Sequence, residues 1–133
     1  MARLNAQRLG AGRVRFAPSD LLAAVRDRAG RVDLVVSNPP YVDPAEIDGL
    51  EPEVRDHEPR AALVAAEGRD ALYSRLAREA ARVLRPGGTL AVEIGAGMAA
   101  PVRRLFDDAG LRVTAVRDDL AGIARVVVAE TAP

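Results

Sequence analysis

VDLVVSNPPY, residues Val32–Tyr41, is the stretch that decides how this sequence folds. Its short apolar run, Leu34–Val36, is typical of a strand that is buried on both faces of a parallel sheet. Asn38 precedes a proline, which drives its backbone out of the helical region. Pro39 and Pro40 have fixed φ angles and no N–H donors. The stretch therefore predicts a buried strand that ends in a stiff loop.

The loop Asn38–Tyr41 carries the groups needed to hold a planar NH2 group. It offers the side-chain amide of Asn38, several carbonyl acceptors and the aromatic ring of Tyr41. Open α/β sheets bind ligands beyond the carboxyl ends of their strands, where this loop is predicted to lie. An ordinary strand-ending turn is the alternative interpretation of an isolated Asn-Pro-Pro-Tyr.

Composition limits the classes of protein that this sequence can represent. The 133 residues predict one domain, and a hydrophobic fraction of 49% is enough for a core. Nineteen basic residues, all arginines, balance nineteen acidic ones, so the overall charge indicates neither nucleic-acid nor membrane binding. The sequence has no cysteine, which excludes disulfides and thiolate metal sites. No apolar run approaches the ~20 residues of a membrane span, and no signal-peptide core is found, so a cytoplasmic protein is expected.

Helices and strands alternate on both sides of the opening stretch. Helices are predicted over 2–9, 19–29, 70–84 and 101–109, and strands over 13–16, 89–94, 111–116 and 125–129. The alternation indicates an α/β fold with a parallel sheet, in which the last two strands pair antiparallel because no helix separates them. Residues 42–69 are interrupted by proline and glycine, which predicts a functional or disordered loop without regular elements. Its apolar segment 61–66 is predicted to pack back onto the domain.

Further motifs are spread along the chain. They are Asp20 after a predicted strand, Pro52–Arg55, Glu58–Arg60, Ala62-Leu63, Leu84–Gly88, Glu93–Gly95, Asp119–Gly122 and Arg125–Val128. Together with Ser37–Tyr41, they resemble the protein glutamine-N5 methyltransferases that modify class I peptide chain release factors. Asn-Pro-Pro-Tyr alone also occurs in methyltransferases that act on exocyclic amines of adenine and guanine. The Pro-Glu-Val-Arg and Glu-Pro-Arg motifs favour the protein-glutamine branch.

The resemblance implies a Rossmann-like methyltransferase sheet and makes residues 1–133 the carboxyl-terminal portion of a single catalytic domain. The family's first two strands and its Gly-rich loop, which cradles the methionine end of S-adenosylmethionine, have no counterpart in this sequence. The sheet is therefore expected to be incomplete, with exposed strand edges and a carboxyl-terminal antiparallel strand pair. We expect the chain alone to bind S-adenosylmethionine weakly or not at all, and to be inactive.

The resemblance also assigns catalytic roles to Asn38, Pro39, Pro40 and Tyr41. The Asn38 side-chain oxygen and the Pro39 carbonyl would accept hydrogen bonds from the NH2 group of a glutamine side chain. Tyr41 would pack against the flat amide, and Pro40 belongs to the same stiff loop. These contacts orient the nitrogen toward the methyl group of S-adenosylmethionine.

Cofactor contacts are implied for Asp20, Leu21 and Asn38. Asp20 would accept a hydrogen bond from the adenine amino group, although a helix N-cap, formed by Asp20 or by Ser19, is an equally good interpretation of the local sequence. Leu21 would pack near the adenine without ring stacking. No metal is implied, and His57, the sole histidine, is interpreted as a solvated loop residue.

The implied partners are class I release factors, without direct contact to nucleic acid or membrane. Charged residues of the long loop either contact the release factor or form a solvated loop surface, and we favour a mainly structural role for most of them. They are Glu51, Glu53, Arg55, Glu58 and Arg60. Two other functions stay open, namely a nucleic-acid amino-methyltransferase and a remnant without catalytic activity.

Overall fold

A mixed sheet forms the centre of the computed structural model, which describes residues 1–49, 52–57 and 59–133. Within these residues its strands are β1 (Val32–Ser37), β2 (Leu84–Glu93), β3 (Arg112–Asp118) and β4 (Ala124–Glu130). The strand order is β1-β2-β4-β3. β1 pairs parallel with β2, whereas β4 pairs antiparallel with both β2 and β3. The predicted α/β class and the antiparallel pair at the end of the chain are confirmed.

Helices precede and follow β2. The α-helices are α1 (Ala2–Arg8), α2 (Pro52–His57), α3 (Arg60–Leu63), α4 (Arg69–Val83) and α5 (Ala99–Asp108). In the described part of the chain, 3-10 helices cover Ala23–Arg28 and Pro44–Gly49. In the predicted helix 70–84, apolar residues recur at helical spacing, which predicts a stripe on one face, and α4 buries this stripe, Leu72, Leu76, Ala80 and Val83. Within the described residues, Leu76, Ala80 and Val83 pack with α5 and the inner residues of β2 and β4 in a hydrophobic core.

β1 is less buried than its sequence predicts. Val35 is buried at 6% exposure, but Leu34 and Val36 are 54% and 73% exposed. β1 lies at an edge of the sheet, where only one face meets the core and no described helix covers the other. The prediction of a strand buried on both faces is therefore wrong for one face.

The predicted strand over residues 13–16 is absent from the described structure. Val14 and Phe16 are 53% and 37% exposed, and the segment pairs with none of the four strands. A strand is stabilised by its ladder partner and by burial of one face, and this segment has neither. The helix predicted over residues 19–29 is shorter than expected. The structure has a 3-10 helix over Ala23–Arg28 in this segment.

β2 begins earlier than predicted. The sequence predicts that Arg85–Gly88 separates a helix from a strand at Thr89, but β2 already starts at Leu84. The pairing with β1 is irregular here, since Val32 aligns with Leu84 whereas Leu34 aligns with Thr89. The proline and glycines therefore produce a bulged strand start instead of a loop.

The segment 42–69 contains the short helices α2 and α3 as well as a 3-10 helix, so the prediction that it has no regular elements is wrong. It does pack back onto the domain as predicted. The Val42 N–H donates to the Leu63 carbonyl at 2.9 Å, and Ala65 is buried. Glu51 and Glu58 of the charged motifs lie outside the described residues.

Candidate functional site

The loop Asn38–Tyr41 leaves β1 at the carboxyl edge of the parallel pair, as predicted. Ser37 is aligned with Val92, so the loop lies beside the end of β2. Pro39 is buried, Pro40 and Tyr41 are half-buried, and Asn38 is exposed. The loop is thus anchored through a proline and presents the amide of Asn38 to solvent.

Tyr41 is fixed by contacts at its hydroxyl and at its ring. The hydroxyl donates a hydrogen bond to Oε1 of Glu93 at 3.2 Å. A Cβ added to Gly95 would lie 3.2 Å from Cδ2 of the ring, so only glycine allows this close approach without displacement. Burial, followed by the negative charge and the hydrogen bond of Glu93, raises the pKa of Tyr41. The phenol therefore remains protonated at neutral pH and acts as a donor.

Glu93 is approached from two further elements of the fold. Tyr73 of α4 is fully buried, and its hydroxyl donates to the Glu93 carbonyl at 3.2 Å. Burial raises the pKa of Tyr73 above its usual value. Arg125 of β4 pairs with Asp119 at 3.0 Å, and its charge lowers the pKa of Tyr41, which opposes the effect of Glu93. Glu93 therefore joins the loop and α4 through hydrogen bonds, and it aligns with Val126 of β4 in the sheet.

An open cavity of about 480 Å³ borders Tyr41. It is lined by Tyr41, Val42, Ala45, Glu46, Gly49, Arg69, Gly95 and Ala96. Most of these side chains are small, and Glu46 and Arg69 form an ion pair across 3.5 Å. The lining gives the ring of Tyr41 an accessible side away from the core.

Asp20 lies in an ion-pair cluster on α4. Its two carboxylate oxygens accept hydrogen bonds from Arg75 at 2.9 and 3.0 Å, which is a bidentate pair. Arg75 also binds Glu67 at 2.6 Å and lies 3.6 Å from Glu79. The Asp20 side chain is 74% exposed, and the Ser19 hydroxyl, not Asp20, accepts the N–H of Ala24. The side chain of Asp20 therefore binds Arg75 instead of capping the helix.

Leu21 has an unusual backbone conformation. Its φ of 45° makes it the non-glycine residue with positive φ among the described residues. Its side chain is half-buried and packs against the hydrophobic core. The next N–H, that of Leu22, donates to Oε2 of Glu79 at 3.0 Å. The predicted cofactor residues thus occupy a bent segment that α4 contacts directly.

The first half of α4 connects both groups of predicted site residues. Tyr73 binds the strand end that holds Tyr41, and Arg75 binds Asp20. Sequence reasoning missed the contribution of α4 and of Arg75 in particular. The i,i+4 spacing of Arg75 and Glu79 was the one available signal, although such pairs are common on helix surfaces.

Neither a set of potential metal ligands nor a membrane-crossing helix is found within the described ranges 1–49, 52–57 and 59–133. No group of three or more His, Cys, Asp or Glu side chains is arranged there to hold a metal ion. His57 is exposed at the end of α2, in agreement with its interpretation as a solvated residue. Among these same residues, no helix has the length and apolar character that a membrane crossing requires.

Comparison with characterised sequences relates the chain to one family. It is 47% identical over 135 aligned positions to the release factor glutamine methyltransferase of Bradyrhizobium diazoefficiens, covering 99% of this chain and 44% of that protein. It is 41% identical over 127 positions to the protein of the same name from Geobacter sulfurreducens, covering 96% and 44%. The chain spans less than half the length of these relatives. No protein-family model matches the sequence.

Solved structures give the same fold. The release factor-specific protein-(glutamine-N5) methyltransferase of Alicyclobacillus acidocaldarius superimposes with a TM-score of 0.50 at 31% identity, covering 84% of this chain and 56% of that one. A Thermus thermophilus protein described as a DNA modification methylase, complexed with S-adenosyl-L-methionine, gives a TM-score of 0.51 at 18% identity, covering 79% and 49%. The predicted Rossmann-like methyltransferase fold is confirmed. Over nearly its whole length, the chain belongs to the family of release factor glutamine methyltransferases, and it corresponds to 44% of the Bradyrhizobium and Geobacter proteins.

Proposed function

We propose that residues 1–133 supply the substrate-amide site of a methyltransferase that acts on a glutamine side chain of class I peptide chain release factors. The Asn38–Tyr41 loop carries this proposal. Asn38 is exposed and the neighbouring Pro39 is buried, while the Tyr41 ring at the other end of the loop is held by the hydrogen bond of its hydroxyl to Glu93. The names of the relatives support glutamine in a release factor as the substrate.

The chemistry depends on orientation because an amide nitrogen is a weak nucleophile. Its lone pair is delocalised into the carbonyl and must be aligned with the bond that breaks. The Asn38 side-chain oxygen and the Pro39 carbonyl accept the two N–H donors and fix the rotation of the NH2 group. Positioning of this kind contributes up to roughly 7–11 kcal/mol in favourable cases. The same oxygens stabilise positive charge that develops on the nitrogen, and the proton leaves after transfer.

The residues present suit one end of S-adenosylmethionine. The Asp20 carboxylate is 74% exposed, and each oxygen keeps an acceptor site beside its bond to Arg75, which suits an adenine amino group. Leu21 offers an apolar contact to the ring, and Asn38 borders the site of transfer. When bound, the cofactor supplies the methyl group as a sulfonium electrophile. We also propose that residues 1–133 form the carboxyl-terminal portion of a single catalytic domain.

The proposed partner is a protein and not a nucleic acid or a membrane. Basic and acidic residues balance at zero net charge, whereas binding to nucleic acid is dominated by neutralisation of phosphates. Release factors act in translation termination, which places the proposed reaction in the cytoplasm.

A chimera tests the proposal. Residues 1–133 replace the matched part of the Geobacter sulfurreducens relative, and the chimera receives labelled S-adenosylmethionine with a release factor or with duplex DNA. We expect label in the release factor, and we expect Asn38→Ala to abolish it while the fold is retained. Label in DNA would favour the nucleic-acid alternative, and label in neither substrate would favour a non-catalytic chain. The 133-residue chain alone should bind the cofactor weakly or not at all in a calorimeter.

A further inference from the structure

α4 holds the segment Asp20–Leu22 at two points. Arg75 donates hydrogen bonds to both carboxylate oxygens of Asp20, at 2.9 and 3.0 Å. One turn further along the helix, Oε2 of Glu79 accepts the backbone N–H of Leu22 at 3.0 Å. One contact fixes a side chain and the other fixes a backbone donor two residues later. The segment is therefore restrained on both sides of Leu21.

Leu21 is where the restraint has a conformational consequence. A leucine at φ 45° is in the left-handed region, where the Cβ is crowded by the following carbonyl. Such a conformation persists only when surrounding contacts favour it over the relaxed alternative. The two contacts from α4 flank Leu21 directly, and they supply this restraint.

Arg75 is itself well fixed. Its Nε and NH2 atoms donate to Glu67, with a shortest distance of 2.6 Å, while its remaining donors reach Asp20. Hydrogen bonds to Glu67 and Asp20 raise the pKa of Arg75 further, so its charge is constant at all relevant pH. A planar guanidinium between two carboxylates fixes the plane of each. The orientation of Asp20 is thus set by a group that is not free to move.

We infer that Arg75 and Glu79 are positioning residues that hold Asp20 and Leu21 in the conformation that receives the adenine of the cofactor. The inference rests on the proposed function for the identity of the ligand. The bidentate bond leaves an acceptor site on each Asp20 oxygen, and the high exposure of the side chain leaves those sites accessible. Asp20 can therefore bind Arg75 and the cofactor at the same time.

Amide hydrogen exchange on the 133-residue chain measures the restraint without any ligand. Glu79→Ala removes the acceptor of the Leu22 N–H, and we expect that amide to exchange about tenfold faster, as for loss of a bond to a charged group. Glu79→Gln keeps an acceptor oxygen and should restore most of the protection. Arg75→Gln should accelerate the exchange of the same segment. Exchange in α4 and β2 should remain unchanged in all three variants.

Arg78→Gln is the matched control, because Arg78 lies on the same helix and binds only Ser74 among its described neighbours. It should leave the exchange of Leu22 unaltered. The inference is overturned if Arg75→Gln and Glu79→Ala also leave the amide exchange rate of Leu22 unaltered. It is likewise overturned if Leu22 exchanges as fast in Glu79→Gln as in Glu79→Ala.

Kinetics of the chimera provide the functional readout. Arg75→Gln and Glu79→Ala should raise the KM for S-adenosylmethionine about tenfold, with a smaller change in kcat, and Arg78→Gln should change neither. Faster exchange with an unchanged KM would overturn the positioning role. If the parent chimera is inactive, the proposed function fails, and the exchange data alone decide whether Arg75 and Glu79 restrain the segment.

Discussion

The hydroxyl of Tyr41 donates a hydrogen bond to Oε1 of Glu93 across 3.2 Å. Tyr41 ends the loop that follows β1, and Glu93 ends β2, so one bond joins the carboxyl ends of two adjacent parallel strands. This hydrogen bond restrains the Tyr41 ring through its hydroxyl group. The ring then lies over Gly95, beside the open cavity.

The ionisation of Tyr41 reports this bond directly. Tyr41 and Tyr73 are the two tyrosines and there is no tryptophan, so Tyr73→Phe leaves a single phenol to titrate by ultraviolet absorbance. In that background the pKa of Tyr41 should lie above its ordinary value of 10.0. Glu93→Gln removes the negative charge, and the pKa should fall but stay raised, because burial is the largest cause.

Circular dichroism at each pH separates this titration from alkaline unfolding. Glu53→Gln is the matched control, since it removes an exposed carboxylate on α2 without a contact to Tyr41. An identical titration midpoint with and without Glu93 would show that the carboxylate does not act on Tyr41.

Gly95→Ala tests the close approach of the ring. A Cβ at 3.2 Å from the Tyr41 ring forces a shift of a few tenths of an ångström, and the backbone of Gly95 itself needs no positive φ. We expect the activity of the chimera to fall by about tenfold, as for a misplaced positioning group, with a loss of stability below about 1 kcal/mol.

Gly97→Ala provides the contrast. Gly97 has φ 76° and an added Cβ would meet nothing within 4 Å, so the cost is backbone strain of roughly 1 kcal/mol without displacement of Tyr41. Thermal unfolding and methyl transfer should therefore rank the two variants in opposite orders. The same ranking in both assays would contradict a role of Gly95 in placing the ring.

Local patterns in the sequence predicted much of the fold. The apolar spacing of α4 fixed its buried stripe, and the absence of a helix between β3 and β4 predicted their antiparallel pairing. The position of the Asn38–Tyr41 loop at a strand end followed from the proline pair. These features depend on short-range periodicity and backbone stereochemistry, which a sequence displays directly.

Features that depend on distant neighbours could not be predicted. The run Leu34–Val36 has the same composition whether one or both faces are covered, and the segment 13–16 alternates in polarity although it has no pairing partner in the described structure. The bond between Asp20 and Arg75 spans 55 residues. No spacing rule connects such positions, so the contacts of Arg75 and Glu79 with the candidate cofactor residues became visible only in three dimensions.

Tyr73→Phe should lower stability and reduce its dependence on alkaline pH. The buried hydroxyl donates to the Glu93 carbonyl, and its loss costs about 1 kcal/mol. Because folding raises the pKa of Tyr73, the unfolded state loses its proton first, and stability falls as pH rises above the unfolded value of about 10. Denaturant midpoints measured from neutral to alkaline pH should therefore fall less steeply in Tyr73→Phe.

Tyr41→Phe is the companion variant, because Tyr41 is only half-buried. Tyr41→Phe should reduce the fall of the denaturant midpoint at alkaline pH less than Tyr73→Phe does. Equal slopes for the wild type and Tyr73→Phe would show that this phenol does not couple folding to pH.

Asp119→Asn should make the folding stability of the protein less dependent on pH in the acid range. Oδ1 of Asp119 accepts the N–H groups of Ala121 and Ile123 at 2.9 and 3.0 Å, and Oδ2 accepts Nε of Arg125 at 3.0 Å. The bond from Ile123, followed by the bond from Arg125, holds the pKa of Asp119 below its usual 3.8. The ionised Asp119 carboxylate therefore stabilises the fold fully above the pKa of Asp119 in the unfolded state. This stabilisation is lost as pH falls through the lower pKa of the folded state.

The asparagine keeps an acceptor for the turn but loses the charge that binds Arg125. Its unfolding midpoint should be lower at neutral pH and should fall less below about pH 4 than that of the wild type. Asp118→Asn removes an adjacent exposed carboxylate outside these bonds and should keep the wild-type profile. Parallel acid profiles for the wild type and Asp119→Asn would rule out a pH-dependent contribution from this turn. A change in the Tyr41 titration of Asp119→Asn would show, in addition, that the hairpin sets the position of Arg125 relative to the Tyr41–Glu93 bond.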